Sequence, residues 1–176
     1  MPDDAPNDLH ALIREIPDFP EPGILYRDIT PLLQDGPALR RALDWFEALY
    51  RDAQIDAVVG IESRGFIFGV PLADRLGVGF VPIRKPGKLP HDTHRHEYVL
   101  EYGSDSVEIH QDALSAGQRA VIIDDLLATG GTALATTKLV ELCGADIHSL
   151  AFLVELQELR GRDRLHHYQI EALLQY

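Results

Sequence analysis

At 176 residues, with 45% hydrophobic and 25% charged, the chain has ordinary globular composition and the size of one domain, large enough to bury roughly 70% of its unfolded surface. Disordered and collagen-like classes are excluded, and the single cysteine, Cys143, has no intramolecular disulfide partner. With 16 Lys and Arg against 28 Asp and Glu, the net charge of −12 counts against nucleic-acid binding, which needs a basic face. The start Met-Pro-Asp-Asp-Ala-Pro lacks the basic and apolar parts of a secretory leader, and no apolar run approaches the ~20 residues of a membrane span. A cytoplasmic protein without membrane or nucleic-acid partners is expected.

Leu9, Leu12, Ile13 and Ile16 keep the spacing of one helical face and predict a short helix over residues 8–16. The run from Pro17 to Gly23 cannot continue it and predicts an extended loop. Pro37 suits a first helical turn, and Leu39, Leu43, Phe46 and Tyr50 give the next helix its apolar face. Strands and helices then alternate. Strand 57–61 is followed by a helix over 64–76 stopped by Gly77, and by strand 80–83. Strand 120–123 is followed by a helix over 132–143 closed by Gly144, and by strand 149–154. This rhythm predicts a single α/β domain over 1–176, with a mostly parallel central sheet flanked by helices. Ligands of such sheets bind beyond the carboxyl ends of the strands. Residues 85–116 break the rhythm. Their alternating pieces Glu97–Tyr102 and Ser106–Ile109 predict an antiparallel hairpin turning at Gly103-Ser104-Asp105, which serves as a lid.

The chemistry concentrates between Val121 and Thr132. An apolar strand ends in Asp124-Asp125, and Leu126-Leu127-Ala128-Thr129-Gly130-Gly131-Thr132 then opens directly into a helix. Ala128–Thr132 gathers backbone N–H groups at a positive helix end, a setting suited to a phosphate dianion. Without a lysine in the loop, the nucleoside-triphosphatase pattern is absent. Two carboxylates beside a phosphate site are electrostatically awkward unless hydroxyls or a divalent cation share the space. A ribose 5-phosphate resolves this, with its phosphate in the loop and its hydroxyls donating to the carboxylates.

This stretch resembles the motif by which type I phosphoribosyltransferases bind phosphoribosyl pyrophosphate (PRPP). The resemblance continues, in order, through Asp18-Phe19-Pro20-Glu21-Pro22-Gly23, Arg27-Asp28-Ile29, Ser63-Arg64-Gly65-Phe66, Arg84-Lys85-Pro86-Gly87-Lys88-Leu89-Pro90 and Leu100-Glu101-Tyr102-Gly103, covering nearly the whole chain. It implies the type I phosphoribosyltransferase fold, with residues 1–35 as a purine-binding hood and residues 85–116 as a flexible lid. The implied activity is that of a pentosyltransferase of purine salvage, converting adenine and PRPP to AMP and pyrophosphate. Mg²⁺ would be carried mainly by PRPP, with no direct protein ligand, and the assembly would be a homodimer.

Carried onto this sequence, the resemblance implies that Ala128, Thr129, Gly130, Gly131 and Thr132 hold the 5′-phosphate, and Asp124 and Asp125 the ribose. Glu62, Ser63, Arg64, Arg84 and Lys88 are the implied pyrophosphate residues, with Glu62 standing where many members have aspartate. Relatives often carry a non-proline cis peptide in that loop, and their counterpart of Arg84 reaches into the partner's site. Adenine would be read by the main chain at Leu25, Tyr26 and Arg27 and covered by Leu159. Glu101, Tyr102 and Arg64 are the implied catalytic residues. Two other readings compete. A phosphoribosyltransferase for a 6-oxopurine is disfavoured by the loop Phe19–Arg27, and a non-catalytic PRPP-sensing regulator of the same fold by the acidic charge. His91, His94 and His96, interleaved with Asp92 and Arg95, are read as solvated lid residues rather than metal ligands. Cys143 and Trp45 are read as packing residues, and His166-His167 as surface.

Overall fold

In the computed structural model, which describes residues 7–99 and 104–176, the chain divides into an N-terminal unit, residues 1–45, and a larger unit, residues 46–176. The first unit holds α1 (Asn7–His10), β1 (Arg14–Pro17), β2 (Leu25–Asp28), α2 (Thr30–Gln34) and most of α3 (Gly36–Tyr50). The helix expected over 8–16 therefore stops at His10, and its second half is strand. So short a helix is marginal by itself, whereas β1 gains an antiparallel ladder with β2, from Arg14↔Asp28 to Pro17↔Leu25. The directly opposed Glu15 and Arg27 form an ion pair across that ladder. Leu9 of α1 and Ile13, in the turn before β1, stay buried, so the apolar spacing was real but did not belong to one helix.

The proline-dense run is not extended either. The Phe19–Pro20 peptide is cis, and Asp18 takes a left-handed backbone with φ 56°. The Asp18 carboxylate accepts the Gly23 N–H at 2.7 Å, and Phe19 N–H donates to the Ile24 carbonyl at 3.2 Å. A closed turn joins β1 to β2. The start of α3 is fixed by Asp35, whose Oδ1 accepts the Ala38 N–H at 2.9 Å. Its buried stripe is Ala38, Ala42, Phe46 and Tyr50, one turn apart.

The second unit contains β3 (Ala57–Ile61), α4 (Gly65–Leu76), β4 (Gly79–Ile83), β5 (Thr93–Val99), β6 (Ser104–His110), β7 (Arg119–Leu127), α5 (Gly131–Leu142), β8 (Asp146–Glu155), α6 (Gly161–Arg164) and β9 (Ile170–Gln175). Five strands form a parallel sheet in the order β4-β3-β7-β8-β9, as the strand–helix rhythm predicts. Every residue of β3 is buried, as are Val121–Ile123 and Leu150–Val154, so both faces of the sheet are covered. Phe46 packs on Phe68 at 5.7 Å, and the Tyr50 hydroxyl meets Ser149 at 2.9 Å. Among the described residues, no helix is long and apolar enough to cross a membrane. Four elements went unpredicted: β2, α2, α6 and β9. In α2 only Leu32 is fully buried, and β9 has a sheet neighbour on one side only.

β5 and β6 pair antiparallel from Thr93↔His110 to Val99↔Ser104. Ser104 and Asp105 are thus strand residues rather than the expected turn, and the connection falls on residues 100–103, outside the described residues. Tyr98, Val107 and Ile109 join the core with Leu139 and Val140 of α5. Reciprocal backbone bonds between Arg84 and Glu108, at 3.0 and 2.8 Å, fasten β6 to the end of β4.

The strand order sets the position of the site. From β3 the chain passes through α4 to β4 on one side, and from β7 through α5 to β8 on the other. The carboxyl ends of β3 and β7 lie side by side where the direction reverses, the place where open α/β sheets bind ligands.

Candidate active site

Beyond the paired ends of β3 and β7 lies a cleft of about 320 Å³ that brings Glu62, Ser63 and Arg64 together with Asp124, Asp125, Ala128 and Thr132. A smaller cavity of about 90 Å³ sits inside the loop itself, bounded by Asp124 and residues 126–133. Gly130, with φ 79°, turns the chain into α5 and contributes no side-chain cap, so the first-turn N–H groups of α5 gather at this cavity. Thr132 lines both spaces. Backbone N–H groups at a helix N-terminus thus face a small cavity that adjoins the larger cleft, an arrangement able to hold an anion.

The two aspartates differ sharply in setting. Asp125 is buried, and its Oδ2 accepts the Arg64 Nε–H at 2.5 Å. Asp124 sits at the cleft floor, where its Oδ1 accepts the Asp125 N–H at 2.9 Å. Burial, reinforced by the adjacent Asp125 carboxylate, pushes the Asp124 carboxyl well above its usual range, with Arg64 opposing.

Glu62 collects cations. Its carboxylate accepts bonds from Arg84 Nε at 3.1 Å, the Lys85 backbone N–H at 3.0 Å and Lys88 Nζ at 3.3 Å. Burial raises its pKa, but these donors outweigh burial and hold it below the ordinary glutamate value. Arg84 and Lys88 are thus parked on Glu62 of their own chain at the mouth of the cleft. The Glu62–Ser63 peptide is cis, the conformation the resemblance implies for this loop.

Three further residues escaped the sequence reading. Lys85 lines the cleft, and its ammonium donates to Asp105 and, at 3.3 Å, to the Tyr98 hydroxyl. Tyr98 in turn donates to Asp105 at 3.1 Å and accepts from Thr132 Oγ1 at 3.0 Å. The hairpin stem is thereby bonded to the Ala128–Thr132 loop. Burial pulls Lys85 down, but Asp105 and Tyr98 keep it above the usual lysine range, so it stays cationic. The cation density of Arg84-Lys85-Pro86-Gly87-Lys88 was a local clue to Lys85. Nothing local links Tyr98 to Thr132.

Of the remaining expected residues, Leu25, Tyr26 and Arg27 lie on β2 in the first unit. Leu25 is exposed, the Tyr26 ring packs edge-on against Phe19 at 5.2 Å, and Arg27 is paired with Glu15. Leu159 ends a single 3₁₀ turn, residues 157–159, in the second unit and is also exposed. Thr129 is exposed in the loop, and Gly130 and Gly131 are buried. Glu101 and Tyr102 lie outside the described residues. Among the described residues, no three His, Cys, Asp or Glu side chains group as metal ligands.

The sequence pattern of the phosphoribosyl transferase domain matches residues 30–172, and the chain belongs to the phosphoribosyltransferase family. Its similarity to known members is specific. A Synechococcus protein named adenine phosphoribosyltransferase is 58% identical over 169 residues, spanning 96% of this chain and 99% of its own. The crystal structure of adenine phosphoribosyltransferase from Thermoanaerobacter pseudethanolicus matches with a TM-score of 0.92 at 52% identity, covering 96% of this chain and 98% of that one. The enzyme from Saccharomyces cerevisiae, complexed with an imino-altritol bisphosphate and adenine, matches with a TM-score of 0.89 at 40% identity, covering 94% and 96%.

The raised pKa of Asp124 has a thermodynamic consequence. A carboxyl with a native pKa above its unfolded value of about 3.9 costs stability as pH rises from there through the native pKa. Asp124→Asn is therefore expected to melt higher than the parent protein near neutral pH, with the gap closing as pH falls through the native pKa and gone below about 4. Calorimetric scans across the acid-to-neutral range test this, and equal melting temperatures at neutral pH would refute it.

Proposed function

We infer that the protein works as an adenine phosphoribosyltransferase, joining adenine to the ribose of PRPP and releasing pyrophosphate, with AMP as the salvaged nucleotide. The observation that carries this reading is the carboxylate pair and phosphate loop of β7 meeting the Glu62–Arg64 loop of β3 in one cleft.

In the reaction, the bond between adenine N9 and ribose C1′ forms as the bond from C1′ to the pyrophosphate oxygen breaks, and N9 loses its proton. Ala128–Thr132 hold the 5′-phosphate through backbone N–H groups and the Thr129 and Thr132 hydroxyls. The ribose hydroxyls donate to Asp124 and Asp125, which relieves the repulsion between the two carboxylates. Ser63 and Arg64 meet the departing pyrophosphate, together with Lys88 once it exchanges Glu62 for the more highly charged ligand, while Arg84, released from Glu62, serves the pyrophosphate site of a partner subunit. Mg²⁺ held by the phosphates of PRPP, with no direct protein ligand, would supply further counter-charge, in keeping with that ion's preference for substrate phosphates and water over an all-protein cage.

Adenine recognition falls to the main chain at Leu25, Tyr26 and Arg27, with Leu159 covering the base. A peptide N–H beside a carbonyl complements adenine N1 and its N6 amino group, whereas a 6-oxopurine sets acceptor against acceptor. The direct test compares PRPP-dependent consumption of adenine, hypoxanthine, guanine and xanthine. Adenine alone should be consumed at a substantial rate, and preference for an oxopurine would overturn the base assignment.

Glu101 is the proposed acceptor of the N9 proton, and Tyr102 covers the reacting centre against water. Positioned acid–base groups contribute roughly 10²–10⁴-fold, so Glu101→Gln should lower kcat by that much and leave PRPP binding little changed. Normal single-turnover chemistry in this variant would remove Glu101 from the mechanism.

The functional form is proposed to be a cytoplasmic homodimer. The exposed apolar side chains Ile67 and Val70 of α4 support an interface, since a second copy would take them out of water. If Arg84 serves the partner's pyrophosphate site, Arg84→Ala and Arg64→Ala enzymes should each be weak, and mixing them should restore part of the activity through hybrid dimers. A fully active monomer in sedimentation at micromolar concentration would defeat this assembly.

A further inference from the structure

The segment after β8 lies against the back of the phosphate loop, and apart from Leu159 the chemistry above does not use it. Glu155, the last residue of β8, is buried, and its carboxylate is gripped at both oxygens by Arg162, Nε to Oε1 at 2.6 Å and Nη2 to Oε2 at 2.7 Å. The same guanidinium donates from Nη1 to the Ile170 carbonyl at 3.0 Å, which ties the segment to β9. Leu156 N–H donates to the Leu127 carbonyl at 2.9 Å, and Leu165 is fully buried. The segment is thus anchored at both ends and through its middle.

Held in this way, Gly161 touches the loop backbone to backbone. A Cβ at position 161 would lie 2.3 Å from the Ala128 carbonyl oxygen and 2.9 Å from Leu127 Cδ1. In return, a Cβ at position 130 would lie 2.7 Å from the Gly161 carbonyl oxygen. The nearest obstacle to any side chain at position 161 is the main chain of the loop itself, which cannot swing aside as the tip of a side chain can. Contact at 2.3 Å is about 1 Å too short, so an added Cβ must push Ala128 by a distance of that order.

We propose that Gly161, clamped by the Glu155–Arg162 pair, is a positioning residue that sets the Ala128–Gly130 backbone for the phosphate of PRPP. The proposal rests on the reading of Ala128–Thr132 as the 5′-phosphate loop. Phosphate held by backbone N–H groups has no flexible side chain to absorb an error, and a misplacement of about 1 Å is enough to cost up to 10²-fold.

The test uses the full-length enzyme in three variants: Gly161→Ala, Arg162→Lys and Thr132→Val. For each, the KM for PRPP, the KM for adenine, kcat, the dissociation constant of ribose 5-phosphate and the melting temperature are measured. Gly161→Ala should raise the KM for PRPP and the ribose 5-phosphate dissociation constant by roughly 10- to 100-fold, with a much smaller change in the KM for adenine. Arg162→Lys keeps the charge but loses the two-point grip, and should give a smaller rise in the same two constants. A folded Gly161→Ala enzyme with a lowered melting temperature but unchanged PRPP and ribose 5-phosphate constants would reduce Gly161 to packing and overturn the proposal. If Gly161→Ala does not fold, unchanged constants in Arg162→Lys overturn it instead. Thr132→Val separates the two levels. Unaltered PRPP binding in that variant would overturn the phosphate-loop reading itself, whereas a weakened Thr132→Val beside a normal Gly161→Ala overturns only the role of Gly161.

Discussion

Parallel pairing of β3 with β7 is the constraint on which the site depends. Ala57–Gly60 register against Ala120–Ile123, so the loop that follows Ile61 and the carboxylates Asp124 and Asp125, which β7 carries just past that pairing, emerge at the same edge of the sheet. That register is enforced by burial on both faces: neither strand can slip without moving apolar side chains out of the core. Because the chain turns toward β4 on one side and toward β8 on the other, nothing in the sheet covers the junction. The cleft follows from topology before any particular side chain is considered.

Within that cleft, charge is organised as pairs awaiting exchange. A protein of net charge −12 that takes a substrate carrying several phosphate charges needs a local set of cations, and the cleft gathers one. Each of these is held by a carboxylate: Arg64 by Asp125, Arg84 and Lys88 by Glu62, and Lys85 by Asp105. The pairs keep the cations oriented and limit their mutual repulsion. A pyrophosphate offers more charge and more acceptor oxygens than any one carboxylate, so the exchange favours the ligand. Asp124 is the exception among the carboxylates, pushed up by burial and by Asp125, and suited to a neutral hydroxyl donor.

Mechanical support has a similar economy. The Ala128–Thr132 loop, proposed to hold phosphate, is bonded on one side to the hairpin stem through Thr132 and Tyr98, and touched from behind by Gly161. A loop that binds through backbone N–H groups needs such supports, because its affinity depends on main-chain position rather than on side-chain length. The hairpin strands are correspondingly built into the core through Tyr98, Val107 and Ile109.

The strand, carboxylate pair and glycine loop proposed to hold ribose and phosphate were legible as a unit in the amino-acid sequence because they are contiguous: strand, two acids, two glycines and helix occupy one stretch of twelve residues. The five-stranded parallel sheet was largely legible for a related reason, since strands buried on both faces read as unbroken apolar runs. Where residues serve a half-exposed surface, the pattern misled. The spacing of Leu9, Leu12, Ile13 and Ile16 fitted a helix, yet residues 14–17 gained more from pairing with 25–28. What only the tertiary structure decided were contacts between distant residues: Arg84 and Lys88 on Glu62, Tyr98 on Thr132 across 34 positions, and Gly161 against Ala128. The physical reason is that hydrogen bonds and steric contacts act over a few ångströms of space, and it is the packing of the sheet, not any local pattern, that brings such residues within that range.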